Sequence, residues 1–485
     1  MFRDESTAVV QKATKHQSSK KPPKPLSIPL EDRARGFFFQ HYVLGKTRTF
    51  DYIQSFPPET DSRLCASLAA VSLAHFSIKA RSSEAMKMAR LKYICALRLT
   101  NEALQTGELA TKDATFLSIL LLDLFEKITK RTPETFESWT KHIHGALAIA
   151  RLRGVEQFNN PVGLRMFMQL SSTVLIACVQ RDVPLPADFL ALYVEWKKYL
   201  NLTEPKARLS QCIIRFIDLR VAIKNRSLLS SEVVYIAKDV DTDFDLIAKT
   251  MPPDFQYSII PFPSNSDEVF GNHFLFYPHR RVTHLSNLLR IMRVLLNEII
   301  TQNCLEILET EDSRVVIEEY QAEITHSSSV IASMATEICA SVPQYTLLPR
   351  FSPFQSTSEP DLDPTYFRLS NNLTTTSSNP GHVTPPTSMA STFSISSTPK
   401  PCFWSELHNP FQTSRCYSLI YPLYVAAQSL ASPEPLRRWV INRLYVMSTD
   451  MGIREASLVA GILERREKRN PWIVYAMIGS YSFSA

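Results

Sequence analysis

Glycine is scarce in this sequence, at 11 of 485 residues. Phosphate-cradling loops and tight β-hairpins depend on glycine, because they need positive φ or close approach of the backbone. Neither a G-x-x-x-x-G-K-[ST] cradle nor a G-x-G-x-x-G dinucleotide turn is present. The zinc helix H-E-x-x-H and the nucleophile elbow G-x-S-x-G are missing too. No sequence positions assign a Ser, His and Asp set as a triad, which is defined by geometry. Nothing therefore points to an enzyme, and a terpenoid-type cyclase would need an aspartate-rich metal motif that is not found.

The cysteines lack metal-site spacing. Cys65, Cys95, Cys178, Cys212, Cys304, Cys339, Cys402 and Cys416 stand far apart, with no C-x2-C or C-x4-C pair. Several lie in apolar helical runs, where a thiol serves as a small buried hydrophobe. A chain of this length needs no disulfide staples, so a reducing compartment is expected. No cofactor and no metal is expected in this chain. His142 and His144 are two apart, which on a helix points them to different faces. Asp241, Asp243 and Asp245 alternate like calcium-loop ligands, but no glycine and no closing glutamate follow. Helix-start solvation is the expected role for these three.

Long apolar runs are also absent. None reaches the ~20 residues that span a bilayer, and the longest, Phe116 to Phe125, is interrupted by Asp123. The start, Met1 to Lys24, is polar and charged, unlike a signal peptide. No membrane contact is expected, and the sequons at Asn201, Asn225 and Asn372 carry no meaning inside a cell. The net charge of +6 is a mild excess that permits contact with nucleic acid without arguing for it.

What is present is helical periodicity. Hydrophobic residues make up 45% of the chain, enough for a large core. Ala89, Tyr93, Ala96, Leu97, Thr100 and Leu104 recur at three- and four-residue steps, as do Leu117, Leu120, Leu121, Leu124 and Ile128. Thr132 to Gly154 predicts a helix with a Thr132 cap, Pro133 in the first turn and Gly154 as its stop. Further helices are expected over Pro186–Leu200, Pro205–Lys224, Ser231–Thr250, His284–Cys304 and Val315–Val342. The C-terminal ones are Ser418–Leu430, Leu436–Met447 and Ile453–Arg466, with Pro471 to Ala485 docking on the core. Alternating apolar and polar runs are scarce, so no sheet is expected and the fold class is all-α.

Composition divides the chain. Residues 1–30 hold Lys12, Lys15, Lys20, Lys21 and Lys24 among Pro22, Pro23 and Pro25, the pattern of a disordered basic tail. Lys20, Lys21 and Lys24 are the candidates for nuclear import or for contacting phosphates, a solubilising tail being the alternative. Residues 31–343 form the main helical part. Residues 344–402 are a Ser/Thr/Pro-rich loop, richest at Leu373–Pro401, with proline-directed Thr384 and Thr398. Residues 403–485 complete the helical region.

The order of segments resembles the fungal-specific transcription factor domain, the regulatory region downstream of fungal Zn(2)-Cys(6) clusters. Asp32 to Tyr42 is similar to that domain's aromatic opening. Trp139-x-x-His142-x-x-Gly145-Ala146, running to Arg153-Gly154, resembles its H-x-x-G-A helix ending in R-G. Leu423 to Gln428, Arg437-Arg438-Trp439 and Met451-Gly452-Ile453 resemble its C-terminal helices. Gly145 and Ala146 are expected to allow close packing, Trp139 and Trp439 to anchor the core, His142 to be a packed core residue and Arg153 to suit the helix dipole. The resemblance implies an RNA polymerase II regulator of metabolic, including secondary-metabolite, genes. It implies a nuclear protein that shuttles with the cytoplasm. Transcription machinery or co-regulators, a homodimer and a small-molecule effector are the partners it implies. No cysteine precedes Cys65, so zinc and DNA join that list only if an upstream exon supplies the cluster. Otherwise the protein acts without one, as a helical scaffold or co-regulator.

Overall fold

The computed structural model describes residues 28–43, 50–56, 61–129, 136–201, 204–262, 267–347 and 416–478, besides positions 7 and 11. It is 79% helical, as the all-α expectation required. The basic tail, Thr132–Pro133, Cys402 and the Leu373–Pro401 stretch lie outside the described residues.

The chain opens with α1 (Leu30–Phe38), which buries Ala34 and Phe38 and runs into a π-turn over Phe39–Val43. Helix α2 (Ser62–Lys79) is capped by Asp61, whose carboxylate accepts from the amides of Arg63 (3.0 Å) and Leu64 (3.3 Å). Its small side chains Ala66, Ser67, Ala69, Ala70, Ser72 and Ala74 are buried. Three helices therefore close on it: α1, α3 (Ser83–Leu104) and α4 (Asp113–Thr129). In α3 the predicted stripe buries Ala89, Ala96 and Thr100 and half-buries Tyr93 and Leu97, while Leu104 at its end is exposed.

Helix α5 (Phe136–Arg153) stops at Gly154, where φ is +61°, a backbone region that other residues rarely enter. Helix α6 (Pro161–Arg181) starts on an Asn160 cap, whose side chain accepts from the Gly163 amide (2.7 Å). A Cβ at Gly163 would stand 1.9 Å from the Gln157 carbonyl oxygen, so the turn before α6 tolerates only glycine there. By length and composition α6 could cross a membrane, contrary to the reading that no run suffices, but 67% of its apolar window is buried inside the fold. It serves as a core helix.

Next come α7 (Ala187–Lys197), α8 (Pro205–Lys224) and α9 (Ser230–Lys249). A two-stranded antiparallel ribbon follows, β1 (Ser258–Pro261) against β2 (His273–Phe276), in register Ser258 to Phe276. This corrects the expectation of no sheet. β1 is exposed along its whole length and β2 buries only Phe274 and Leu275, so neither strand shows the alternation of a half-buried strand. The long helices α10 (Arg280–Leu308) and α11 (Arg314–Ala340) pack on each other, with α9 against α10.

Helix α12 (Ile420–Gln428) is buried from Ile420 to Ala427 and contacts α10, α11, α13 (Glu434–Met451), α14 (Arg454–Glu464) and α15 (Pro471–Ile478). α15 reaches back to α6. One apolar cluster thus runs from Ala34 to Ile478. Just before residue 348, Tyr345 offers its carbonyl oxygen to the Cys416 thiol (3.6 Å), so the described ends flanking 348–415 meet.

Candidate functional site

The helix carrying the family-like motif is α5. Ile143, Ala146, Leu147 and Ala150 face the core, and Ala146 is 3% exposed. Gly145 does not pack closely, contrary to the sequence reading: it is exposed, and a Cβ there would meet nothing within 4 Å. Glycine in an exposed helix interior costs about 1 kcal/mol relative to alanine. Gly145→Ala is therefore expected to raise unfolding stability by about 0.5–1 kcal/mol, read from the urea midpoint. A destabilisation would mean that something approaches that face in the folded chain.

Arg153 does more than suit the helix dipole. Its guanidinium donates to the Thr111 carbonyl (2.7 Å), pairs with Asp113 and lies over the Phe116 ring (5.2 Å). The end of α5 is thereby tied to the start of α4. Trp139 and His142 are in α5, but their side chains lie outside the described residues. His144 is exposed. Trp439 is half-buried on α13 and packs against the main apolar cluster. Its indole N–H donates to the Asp267 carbonyl (2.9 Å), with Phe270 at 5.8 Å and the Arg443 guanidinium at 6.0 Å. It pins the segment leading into β2.

The aspartates of α9 correct another expectation. Asp241, Asp243 and Asp245 lie in the second half of that helix, far from its start. With Asp239 they form two pairs at i,i+4 spacing, each facing one arginine. Arg293 of α10 makes a bidentate contact with Asp241 (3.0 and 3.1 Å) and reaches Asp245 (2.6 Å). Arg215 of α8 pairs with Asp239 and Asp243. The motif is a double clamp holding α9 between its neighbours.

A buried polar network centres on Arg290 of α10, which is 5% exposed. Its guanidinium donates to Glu337 of α11 (2.9 Å) and to Asn287 (3.0 Å). Asn287 donates to Ser341 (2.9 Å), and the rings of Tyr257 and Tyr277 each lie 5.8 Å away. Burial opposes the charge on Arg290, but Tyr277 and Glu337 outweigh it and hold the group above its ordinary pKa. Gln344 bridges both backbone groups of Tyr277 (3.0 and 2.7 Å), and Thr283 bonds Tyr345 (2.6 Å). The network joins α10, α11 and the ribbon to the residues that precede 348. Beside it, a cleft lined by His284, Asn287, Tyr421 and Pro422 has about 10 Å³ for a ligand, room for one water rather than a metabolite.

Among the described residues, no three His, Cys, Asp or Glu side chains are placed to hold a metal ion. Cys178, Cys212, Cys304, Cys339 and Cys416 are buried, and Cys65 and Cys95 are half-buried. Burial pushes the thiols of Cys178, Cys212 and Cys304 up to about 11, which makes them poor nucleophiles. Lys20, Lys21 and Lys24 lie outside the described residues.

Ion clamps and buried polar links thus tie the helices to one another, and among the described residues no set of reactive groups is assembled. Residues 52–176 match the fungal specific transcription factor domain family. The resemblance seen in the sequence holds over that stretch, which runs from the turn before α2 into α6. Of the three motif stretches, the α5 motif falls inside it; Asp32–Tyr42 and Leu423–Ile453 fall outside. No curated protein matches the chain, and no solved structure does.

Proposed function

We propose that this chain is the regulatory region of a fungal transcription regulator of the zinc-cluster type, acting in the nucleus on RNA polymerase II transcription of metabolic genes, secondary-metabolite genes included. The match of residues 52–176 carries this reading. The all-helical fold, with clamps at α8–α9–α10 and at Arg290, supports it, because a regulatory body must present fixed surfaces to partners. The partners are transcription machinery or co-regulator proteins. A small-molecule effector is a further partner, and the chain shuttles between nucleus and cytoplasm.

Two measurements test the proposal. Fused to an unrelated DNA-binding domain, residues 28–485 should change reporter output several-fold; a fusion with no effect in either direction under any growth condition would remove the regulatory reading. Changing Lys20, Lys21 and Lys24 together to Ala should move a fluorescent full-length chain from nucleus to cytoplasm. An unaltered nuclear signal would leave the lysines a solubilising role only.

A further inference from the structure

Where α9, α10 and α11 come together at one end, apolar side chains stand in solvent. Leu229, just before α9, and Tyr235 on it are 70% and 76% exposed. Leu305 near the end of α10 is 52% exposed, and Val315 at the start of α11 is 75% exposed. The Ser230 hydroxyl donates to Glu306 (3.1 Å) and the Lys238 ammonium to Glu323 (2.5 Å). The first turns of α9 therefore lie beside the end of α10 and the beginning of α11, and the four side chains belong to one surface. Grouped exposed apolar side chains of this kind mark interaction sites more often than single scattered ones do.

The charge on this surface identifies its occupant. Residues 306–319 hold Glu306, Glu309, Glu311, Asp312, Glu318 and Glu319 against one cation, Arg314, which pairs with Glu318 (3.0 Å). In a chain of net charge +6 this is a local reversal of sign. Glu309, Asp312 and Glu319 meet no cation among the described residues. Glu306 and Glu309 also close α10, whose last turn has no basic residue. Carboxylates there oppose the helix dipole, so the stability of α10 does not account for them.

An acidic rim around apolar side chains suits lysine. Its aliphatic stem covers apolar surface while its ammonium reaches a carboxylate, and a tyrosine ring attracts the same cation. The chain carries such a segment: residues 12–24 hold Lys12, Lys15, Lys20, Lys21 and Lys24 and no acid. It is joined to the folded body at α1, and an extended chain lets Lys12 stand up to about 50 Å from residue 28. Tethering raises the effective concentration to roughly the millimolar range, so even a weak contact is populated. We propose that the lysine-rich segment 12–24 docks on the acidic, apolar end of α9, α10 and α11. The contact goes beyond the transcriptional reading and does not depend on it. Where Lys20, Lys21 and Lys24 direct import, docking holds them back from it.

Zero-length carbodiimide coupling of the full chain, which joins an amine to a carboxylate it touches, tests the contact. In the monomer fraction, Lys12 to Lys24 should be joined to acids of 306–319 in preference to other exposed carboxylates. Salt at about 0.5 M should cut that yield several-fold. Trypsin gives a second readout. Cleavage after Lys12, Lys15 and Lys20 should accelerate several-fold in a Glu309→Gln, Asp312→Asn, Glu319→Gln chain. It should do so too in a Tyr235→Ser, Val315→Ser chain, which keeps every charge. All five side chains are exposed, so circular dichroism should not change. Cross-links spread evenly over the surface, or found only between two chains, overturn the proposal. So does cleavage indifferent to either variant, which would leave the acidic end to a different, basic protein.

Discussion

Replacing Arg290 with Met should cost about 3 kcal/mol of unfolding stability, the lower end for breaking a buried charged pair from one side, because the Glu337 side chain left behind keeps 35% of its surface in water. The change leaves Glu337 and the Asn287 carbonyl oxygen without the guanidinium they share. It also removes the cation from between the Tyr257 and Tyr277 rings. The loss should be local in its first effect: hydrogen exchange at residues 258–276 should accelerate before that of α2 or α4, because Tyr257 and Tyr277, which flank the ribbon, meet the Arg290 guanidinium directly. Adding Glu337→Gln should recover part of the loss, since a neutral amide is easier to leave unpaired than a carboxylate. A single variant with a wild-type urea midpoint would show that the network only fills space.

Trp196→Ala should cost a comparable amount, about 3–5 kcal/mol, the range for deleting a buried tryptophan. Trp196 is 2% exposed and meets Phe167 edge-on at 5.4 Å and Tyr193 at 5.7 Å. Phe167 in turn touches Phe158 (5.1 Å) and Phe189 (6.2 Å), so one aromatic cluster joins α6, α7 and the turn between α5 and α6. Trp196→Phe should keep most of the packing and lose the bond from the indole N–H to the Leu164 carbonyl (3.3 Å), a cost of about 1 kcal/mol. Equilibrium urea unfolding with an unchanged slope is the check. A loss below about 1 kcal/mol for the alanine variant would mean that the cluster is loosely packed or can collapse around the gap.

Periodicity revealed those helices that keep one wet face. α8 is found with the boundaries expected, Pro205–Lys224, and α3 follows its predicted stripe except at Leu104; α4 is the exception, its leucines legible although it is buried all round from Thr115 to Glu126. α2 and α6 left no such trace, because helices enclosed by neighbours need no polar side and so show no stripe. The ribbon escaped because its strands are four residues long and do not alternate. Around the candidate sites, composition suggested the wrong local role for particular residues. The D-x-D-x-D spacing resembles loop ligation when counted in twos, but on a helix the same residues divide into two i,i+4 pairs. Gly145 invites a close-packing explanation, and only coordinates place it outward. Arg290 carried no sequence signal, since its partners Glu337, Asn287 and Tyr277 lie on three separate segments.

The meeting of Tyr345 with Cys416 closes the fold across a long stretch of sequence. Tyr345 and Cys416 lie 71 positions apart in sequence, yet their contact is buried, so the two flanks of the chain meet inside the fold. Bringing together two points so far apart along a chain carries a closure cost that grows only with the logarithm of their separation, about 0.6 kcal/mol per doubling. What holds that seam closed is the seating of α12 on α10 and α11 and of α15 on α6.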